Sequence, residues 1–258
     1  MTTELAWFSA VLLGGAAVLA AERWARSLEP RGARRPAGRT LGGWAITVGA
    51  LLLLAVLLRI RAFAELDAHV VATLAGSRSD GLVSVFTAVT TMGDVTPTLL
   101  IATALAMAWF LSTGEVRRPI VLPVIVIVEL AVQLVIAKGL DVPTLAAIRP
   151  GVVIGGAGPI PSGSVARLFS VFLVAAFLWR SRSLSSSRRL VLIGCVLTLV
   201  ELVSRLYLGR HFATDVAGGL LLGVLLSSGF AWVLTWIGNG TRPTTQRERG
   251  TADNRGGG

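Results

Sequence analysis

Apolar residues in this chain gather in seven long blocks, near residues 5–21, 41–58, 95–112, 119–137, 162–179, 189–206 and 215–237, with polar stretches between them. About 20 helical residues cross the roughly 30 Å of bilayer hydrocarbon. Each block is therefore read as a transmembrane helix, and the chain as an all-α, polytopic membrane protein. A shorter apolar run at 82–92 cannot cross alone. With the amphipathic stretch 62–76 it is expected to lie at the membrane interface or to extend the next helix.

Composition agrees with the pattern. Apolar residues make up 53% of the chain, charged residues only 15%, and the mean hydropathy is positive at +0.74, which excludes a soluble domain with a polar exterior. Charge then gives orientation, because Lys and Arg flanking spans stay cytoplasmic. Most of the 24 basic residues fall in alternate connections: Arg23 to Arg39, Arg117 and Arg118, Arg180 to Arg189, and Arg242 to Arg255. The N-terminus is thus expected outside and the C-terminus inside. Trp24, Trp44, Trp109, Trp179, Trp232 and Trp236 fall at the same cytoplasmic ends, where amphipathic rings prefer to sit. The net charge of +10 then describes a rim facing anionic lipid headgroups, not a nucleic-acid surface. The lone Cys195 excludes an intrachain disulfide and has no companions for a metal site.

The first block lacks a basic n-region and precedes six arginines, so it is read as a retained span rather than a cleaved signal. This divides the chain into an N-terminal helix with an Arg-rich linker (1–40), a six-helix membrane domain (41–237) and a disordered cytoplasmic tail (238–258). Gly219 and Gly223 form a small-xxx-small pair in the last span, a weak signal of close helix approach. Between Lys138 and Pro161 several glycines and prolines exclude a continuous helix. Irregular backbone at membrane depth is tolerated where it is buried or lines a wet cavity, so this stretch is expected to be a functional loop.

Three polar clusters converge on the non-cytoplasmic ends of different helices: Lys138 with Arg149-Pro150, Pro161-Ser162-Gly163-Ser164, and Ser204 to Asp215. Phosphoryl transfer spreads negative charge over oxygens that cations and preorganised N–H groups can hold. Lys138, Arg149 and Arg205 supply cations. Ser162, Gly163 and Ser164, opening a helix, supply hydroxyls and N–H groups at its positive end. His211 is the candidate nucleophile. Asp215, four residues on, shares its face if the helix already runs there, and fixes the imidazole tautomer. Lys138 also reads as a snorkelling anchor, and His69, without such neighbours, as structural or solvated. Glu201 precedes Arg205 by one helical turn and can aim its guanidinium. Arg167 and Glu129, both within spans, are expected either to pair between helices or to serve catalysis.

The run Ser204-Arg205, five residues, His211, three residues, Asp215 resembles the third signature of the type 2 phosphatidic acid phosphatase (PAP2) family. The resemblance covers about residues 41–237. It implies a six-helix core, an extracytoplasmic metal-free site without cofactor, a phosphohistidine intermediate and a phosphorylated membrane lipid as substrate. Two departures stand out. The family places six residues between Lys and Arg-Pro, whereas ten separate Lys138 from Arg149. Its second motif reads Pro-Ser-Gly-His, and Ser164 replaces that histidine, which in the family is the general acid. General acid catalysis contributes about 10²- to 10⁴-fold, or roughly 3–5 kcal/mol. The reading is a cell-membrane lipid phosphatase or diphosphatase, with polyprenyl diphosphate favoured because its leaving group needs little protonation. The alternative is a catalytically impaired relative that binds phosphorylated lipid or a membrane partner.

Overall fold

In the computed structural model the described residues are 61–140, 151, 153–155, 158 and 160–240. The expected spans at 5–21 and 41–58, and Arg149, lie outside them. The described chain is helical: α1 Arg61–Gly76, α2 Asp80–Thr90, a 3₁₀ turn Thr91–Gly93, α3 Val95–Thr113, α4 Val121–Leu140, α5 Gly163–Arg180, α6 Leu184–Tyr207 and α7 Ala213–Gly240. Five of these, α3 to α7, are long and apolar enough to cross a membrane, and each coincides with an apolar block of the sequence. The protein is a multi-pass membrane protein.

The run at 82–92 does not extend the next helix. Asp94 adopts extended backbone (φ −66°, ψ 159°) and separates the 3₁₀ turn from α3. Helices α1 and α2 instead pack against α6. The chain's single tyrosine fastens their corner, since the Tyr207 hydroxyl donates to the Ser77 carbonyl and accepts from the Ser79 amide. Arg78 Nε donates to the Tyr207 carbonyl at 2.7 Å.

Helix α5 is the axis of the bundle. It is buried over 83% of its length, against 17% for α3, because α3, α4, α6 and α7 all pack around it or beside it. One apolar cluster joins Phe169 and Leu173 of α5 to Leu202 and Leu206 of α6 and Val216 and Leu220 of α7. The other, towards the opposite end, joins Val174 and Leu178 to Trp109, Leu122, Ile125 and Leu234. There Trp109 meets Trp179 edge-on at 5.1 Å, and Arg182 donates to the Ser112 carbonyl. Aromatic and basic residues thus mark one end of the bundle, as their distribution in the sequence leads one to expect. Outward-facing Leu100, Leu111, Ile127, Val135 and Leu192 stay exposed, which in lipid carries no penalty.

The small-xxx-small pair does bring two helices together. A side chain at Gly219 would strike the Ser162 carbonyl of α5, and one at Gly223 would meet Phe169 at 3.0 Å and the Ala166 carbonyl at 3.2 Å. That approach draws the start of α7 against the start of α5, at the end away from the tryptophans.

Candidate active site

Four chain segments meet at that end: the 3₁₀ corner at 90–94, the start of α5, the last turn of α6, and the turn entering α7. The last of these carries His211 and Asp215, both buried. Helix α7 begins only at Ala213, so His211 precedes it, and a shared helical face is not what brings the pair together. The Asp215 carboxylate instead folds back over the helix start, accepting from the Phe212 amide at 3.0 Å, and its Oδ2 lies 3.4 Å from His211 Nδ1. In the tautomer with the proton on Nδ1, the pair leaves Nε2 as the free nitrogen.

The glycine-rich stretch before Pro161 serves this turn. The Gly158 amide donates to the Arg210 carbonyl, and the Ile154 amide to the Leu208 carbonyl. Gly158 lies against the free edge of the imidazole, where a Cβ would stand 2.7 Å from Cε1 and 2.8 Å from Nε2. Gly155, at φ 77°, occupies the left-handed region that glycine tolerates and leaves room for the Arg210 guanidinium. Arg210 Nε donates to the Ile154 carbonyl at 3.0 Å. Burial, with the like charge of Arg205, pushes the Arg210 guanidinium below its usual value.

Arg205 is held on three sides. Its Nε donates to Glu201 at 2.6 Å, and its Nη2 to Asp94 at 3.0 Å and to the Thr90 carbonyl at 3.2 Å. The i,i+4 pair is the one the sequence suggests; Asp94 and Thr90 come from 111 and 115 residues away. Thr90 also donates its hydroxyl to Glu201.

Ser162, Gly163 and Ser164 open α5 as expected and are all buried. The Ser162 amide donates to the Asp215 carbonyl at 2.8 Å, tying the two helix starts, and the Ser162 and Ser164 hydroxyls are 3.4 Å apart. A side chain at Gly163 would strike Gln133, whose amide donates to the Pro161 carbonyl. Lys138 lies exposed in the last turn of α4, and none of the described contacts joins it to this cluster. Arg167 and Glu129 pair between α5 and α4 at 2.7 Å. The same guanidinium donates through Nε and Nη2 to the Gly93 carbonyl, so the pair also pins the corner that carries Asp94. His69 is exposed.

A further residue escapes sequence reasoning. Asp67 of α1 accepts from the Ala213 and Thr214 amides and the Thr214 hydroxyl. It therefore caps α7 from another helix. Burial, the largest influence, raises its carboxyl above the ordinary value; the hydrogen bonds oppose that shift, and neighbouring Asp215 adds to it. Among the described residues no cluster of His, Cys, Asp and Glu has the grouping to hold a metal ion.

No curated protein matches the chain significantly. The fold is similar to that of a solved structure described as the first transmembrane PAP2 type phosphatidylglycerolphosphate phosphatase from Bacillus subtilis. The TM-score is 0.66 at 20% identity, over 77% of this chain and 97% of that one. Residues 146–240 match the sequence model of the PAP2 superfamily, a segment that includes Ser162, Arg205, His211 and Asp215. Over that segment the sequence is similar to the PAP2 superfamily, and the fold is like that of the solved transmembrane phosphatase.

Proposed function

We propose that this protein is an integral-membrane phosphatase acting on lipid phosphates or diphosphates through a phosphohistidine intermediate. The observation that carries the reading is the contact of His211 with Asp215 in a turn whose preceding helix ends on a buried, three-fold-anchored Arg205. Asp215 orients the imidazole, and Nε2 attacks phosphorus. Arg205 holds the equatorial oxygens where negative charge accumulates, with the buried start of α5 presenting Ser162, Gly163 and Ser164 beside it. Arg149 and Lys138 are the further cations this reading assigns to the phosphate. With the basic connections cytoplasmic, the site opens on the outer face of the cell membrane and takes its substrate from the outer leaflet, while the arginine-rich side faces anionic headgroups.

Residue 164 has no proton to give near neutral pH. A polyprenyl diphosphate, whose leaving group is a weakly basic phosphate monoester, is therefore the less demanding substrate, and phosphatidate the more demanding one. Ser164 also favours a second reading, in which the site binds phosphorylated lipid without turning it over.

Both are tested by one experiment. Purified protein is incubated with polyprenyl diphosphate labelled in its terminal phosphate and quenched in alkaline detergent, where phosphohistidine survives. The wild type is expected to carry label and His211→Ala none. Binding without label or turnover supports the second reading, and turnover that persists in His211→Ala removes the phosphohistidine mechanism.

A further inference from the structure

Transfer of a phosphoryl group from an alkyl ester to His211 leaves an alkoxide, which departs readily only if it receives a proton as the bond breaks. Five carboxyl side chains lie in or beside the described site, and four are committed. Asp215 faces His211 and the Phe212 amide. Asp67 caps α7. Glu129 is fully buried against Arg167, and Glu201 is buried between Arg205 and Thr90.

Asp94 differs from them in three respects. Its side chain is 52% exposed on the site side of the bundle, where the other four are buried. It occupies the N-cap of α3, a position where aspartate ordinarily accepts from the first-turn amides, yet it makes no such bond and turns to Arg205 Nη2 instead. Its chain neighbour Gly93 adjoins residue 164: a Cβ on Gly93 would lie 2.7 Å from Ser164 Cβ and 2.5 Å from Glu201 Oε1. A helix cap that leaves its own helix uncapped in order to reach a phosphate-binding guanidinium gives up local stability for the site.

We propose that Asp94 is the proton donor of this site, a reading that rests on the phosphatase function proposed above. When phosphate engages Arg205 it competes with Asp94 for Nη2. It also brings anionic oxygens against the carboxyl, and two acidic groups so placed share a proton. The other charged groups facing Asp94 are Arg205 and Glu201 from α6 and Arg210 from the turn before α7, with Arg167 of α5 at the carbonyl of Gly93.

In the first step His211 Nε2 forms a bond to phosphorus and the phosphorus–oxygen bond to the leaving group breaks. Its electron pair goes to that oxygen, which takes the proton of Asp94 and leaves as an alcohol or, from a diphosphate, as a phosphate monoester. In the second step water attacks the phosphohistidine, the Asp94 carboxylate accepts its proton, and the phosphorus–nitrogen bond breaks with its electrons returning to Nε2. Inorganic phosphate is released and Asp94 is again protonated.

The test compares wild type and Asp94→Asn on two monoesters in detergent micelles: phosphatidate, with an alkoxide leaving group, and p-nitrophenyl phosphate, whose phenolate leaves unaided. The variant is expected to lose about 10²-fold or more in kcat/KM on phosphatidate and several-fold at most in kcat/KM on the aryl ester, because this ratio ends with formation of the phosphoenzyme. The high-pH limb of its kcat/KM profile should vanish, and phosphohistidine should accumulate from the aryl ester because water attack lacks its base. Equal losses in kcat/KM on both esters, with the pH limb retained, would show that Asp94 merely steadies Arg205 and would overturn the proposal. A wild type inactive on both monoesters and on the labelled polyprenyl diphosphate removes the phosphatase reading as well. If Asp94→Asn does not elute as a single detergent complex, Asp94→Glu carries the test. It keeps a titratable proton and should retain phosphatidate turnover with a displaced pH limb, and an unmoved limb counts against the idea.

Discussion

The free edge of the His211 imidazole faces Gly158, and the absence of a side chain there decides how much room the attacking nitrogen has. A methyl group at Gly158 would overlap both Cε1 and Nε2, so the ring must shift or the nitrogen be covered. Displacements of about 1 Å from productive geometry cost on the order of 10²-fold in rate. Gly158→Ala is accordingly expected to lower kcat at least that far while leaving the melting temperature in detergent within a few degrees, measured by turnover and thermal unfolding on one preparation. Arg205 makes a contrasting case, since Glu201→Ala strips a buried guanidinium of its closest partner at 2.6 Å. Breaking such a pair costs about 3–5 kcal/mol, so that variant should lose stability together with activity. What the sequence reveals at this scale follows from chain distance. Glu201 with Arg205, one turn apart inside α6, is legible from helical spacing alone, whereas His211 and Asp215, also four residues apart, meet through the turn before α7 and not along a helical face. Asp94 meets Arg205 across 111 residues, and an aspartate before an apolar block reads locally as nothing more than a helix cap.

Helix α7 begins where α1 permits it to. Its first amides are satisfied by Asp67, 146 and 147 residues away in the sequence, and the turn that it fixes holds His211 next to Asp215. Removing a cap costs about 0.5–2 kcal/mol. Asp67→Ala should therefore lower the melting temperature modestly and kcat/KM by more than stability alone accounts for, because the frayed turn is the one that carries the nucleophile. The sign of the pH dependence follows from the raised carboxyl. Folding favours the protonated form, so the stability contributed by this titration is fully present below the ordinary value of 3.8 and is lost as pH rises through the higher folded value. The melting temperature of wild type minus that of Asp67→Asn is expected to shrink as pH is raised from about 3.8 across the mildly acidic range; a difference that grows would contradict it. Apolar blocks 95–112 to 215–237 predicted α3 to α7 because bilayer-length runs are a strong local signal. Helix α1, amphipathic and too short to span, carried no such signal for the role it plays.

Across the whole molecule, the described spans are joined at the level of the site by a polar layer in an otherwise apolar bundle. Glu129 and Gln133 of α4, Arg167 of α5 and the Gly93 carbonyl form one hydrogen-bonded set, close to where Glu201 and Arg205 hold Thr90 and Asp94. Sequence alone allowed Arg167 either a structural pair or a catalytic role; all three of its nitrogens are engaged with Glu129, Gln133 and Gly93, which is the structural arrangement. Such a layer is poor evidence for stability, because desolvating two charges cancels most of their attraction, and apolar replacements of similar volume are often neutral or better. Glu129 Oε1 has no hydrogen-bond partner among the described residues, so the pair is not even fully satisfied. What the layer does provide is register, since Arg167 grips the carbonyl next to Asp94. Stability and activity should thus separate in a double-mutant cycle. Glu129→Leu and Arg167→Leu alone each leave a buried charge unpaired and should cost about 3–5 kcal/mol, whereas the double variant should recover most of that loss. Its activity should not recover with it, because the corner at 90–94 has lost its anchor; a double variant with both wild-type stability and wild-type turnover would show that the corner is held without Arg167.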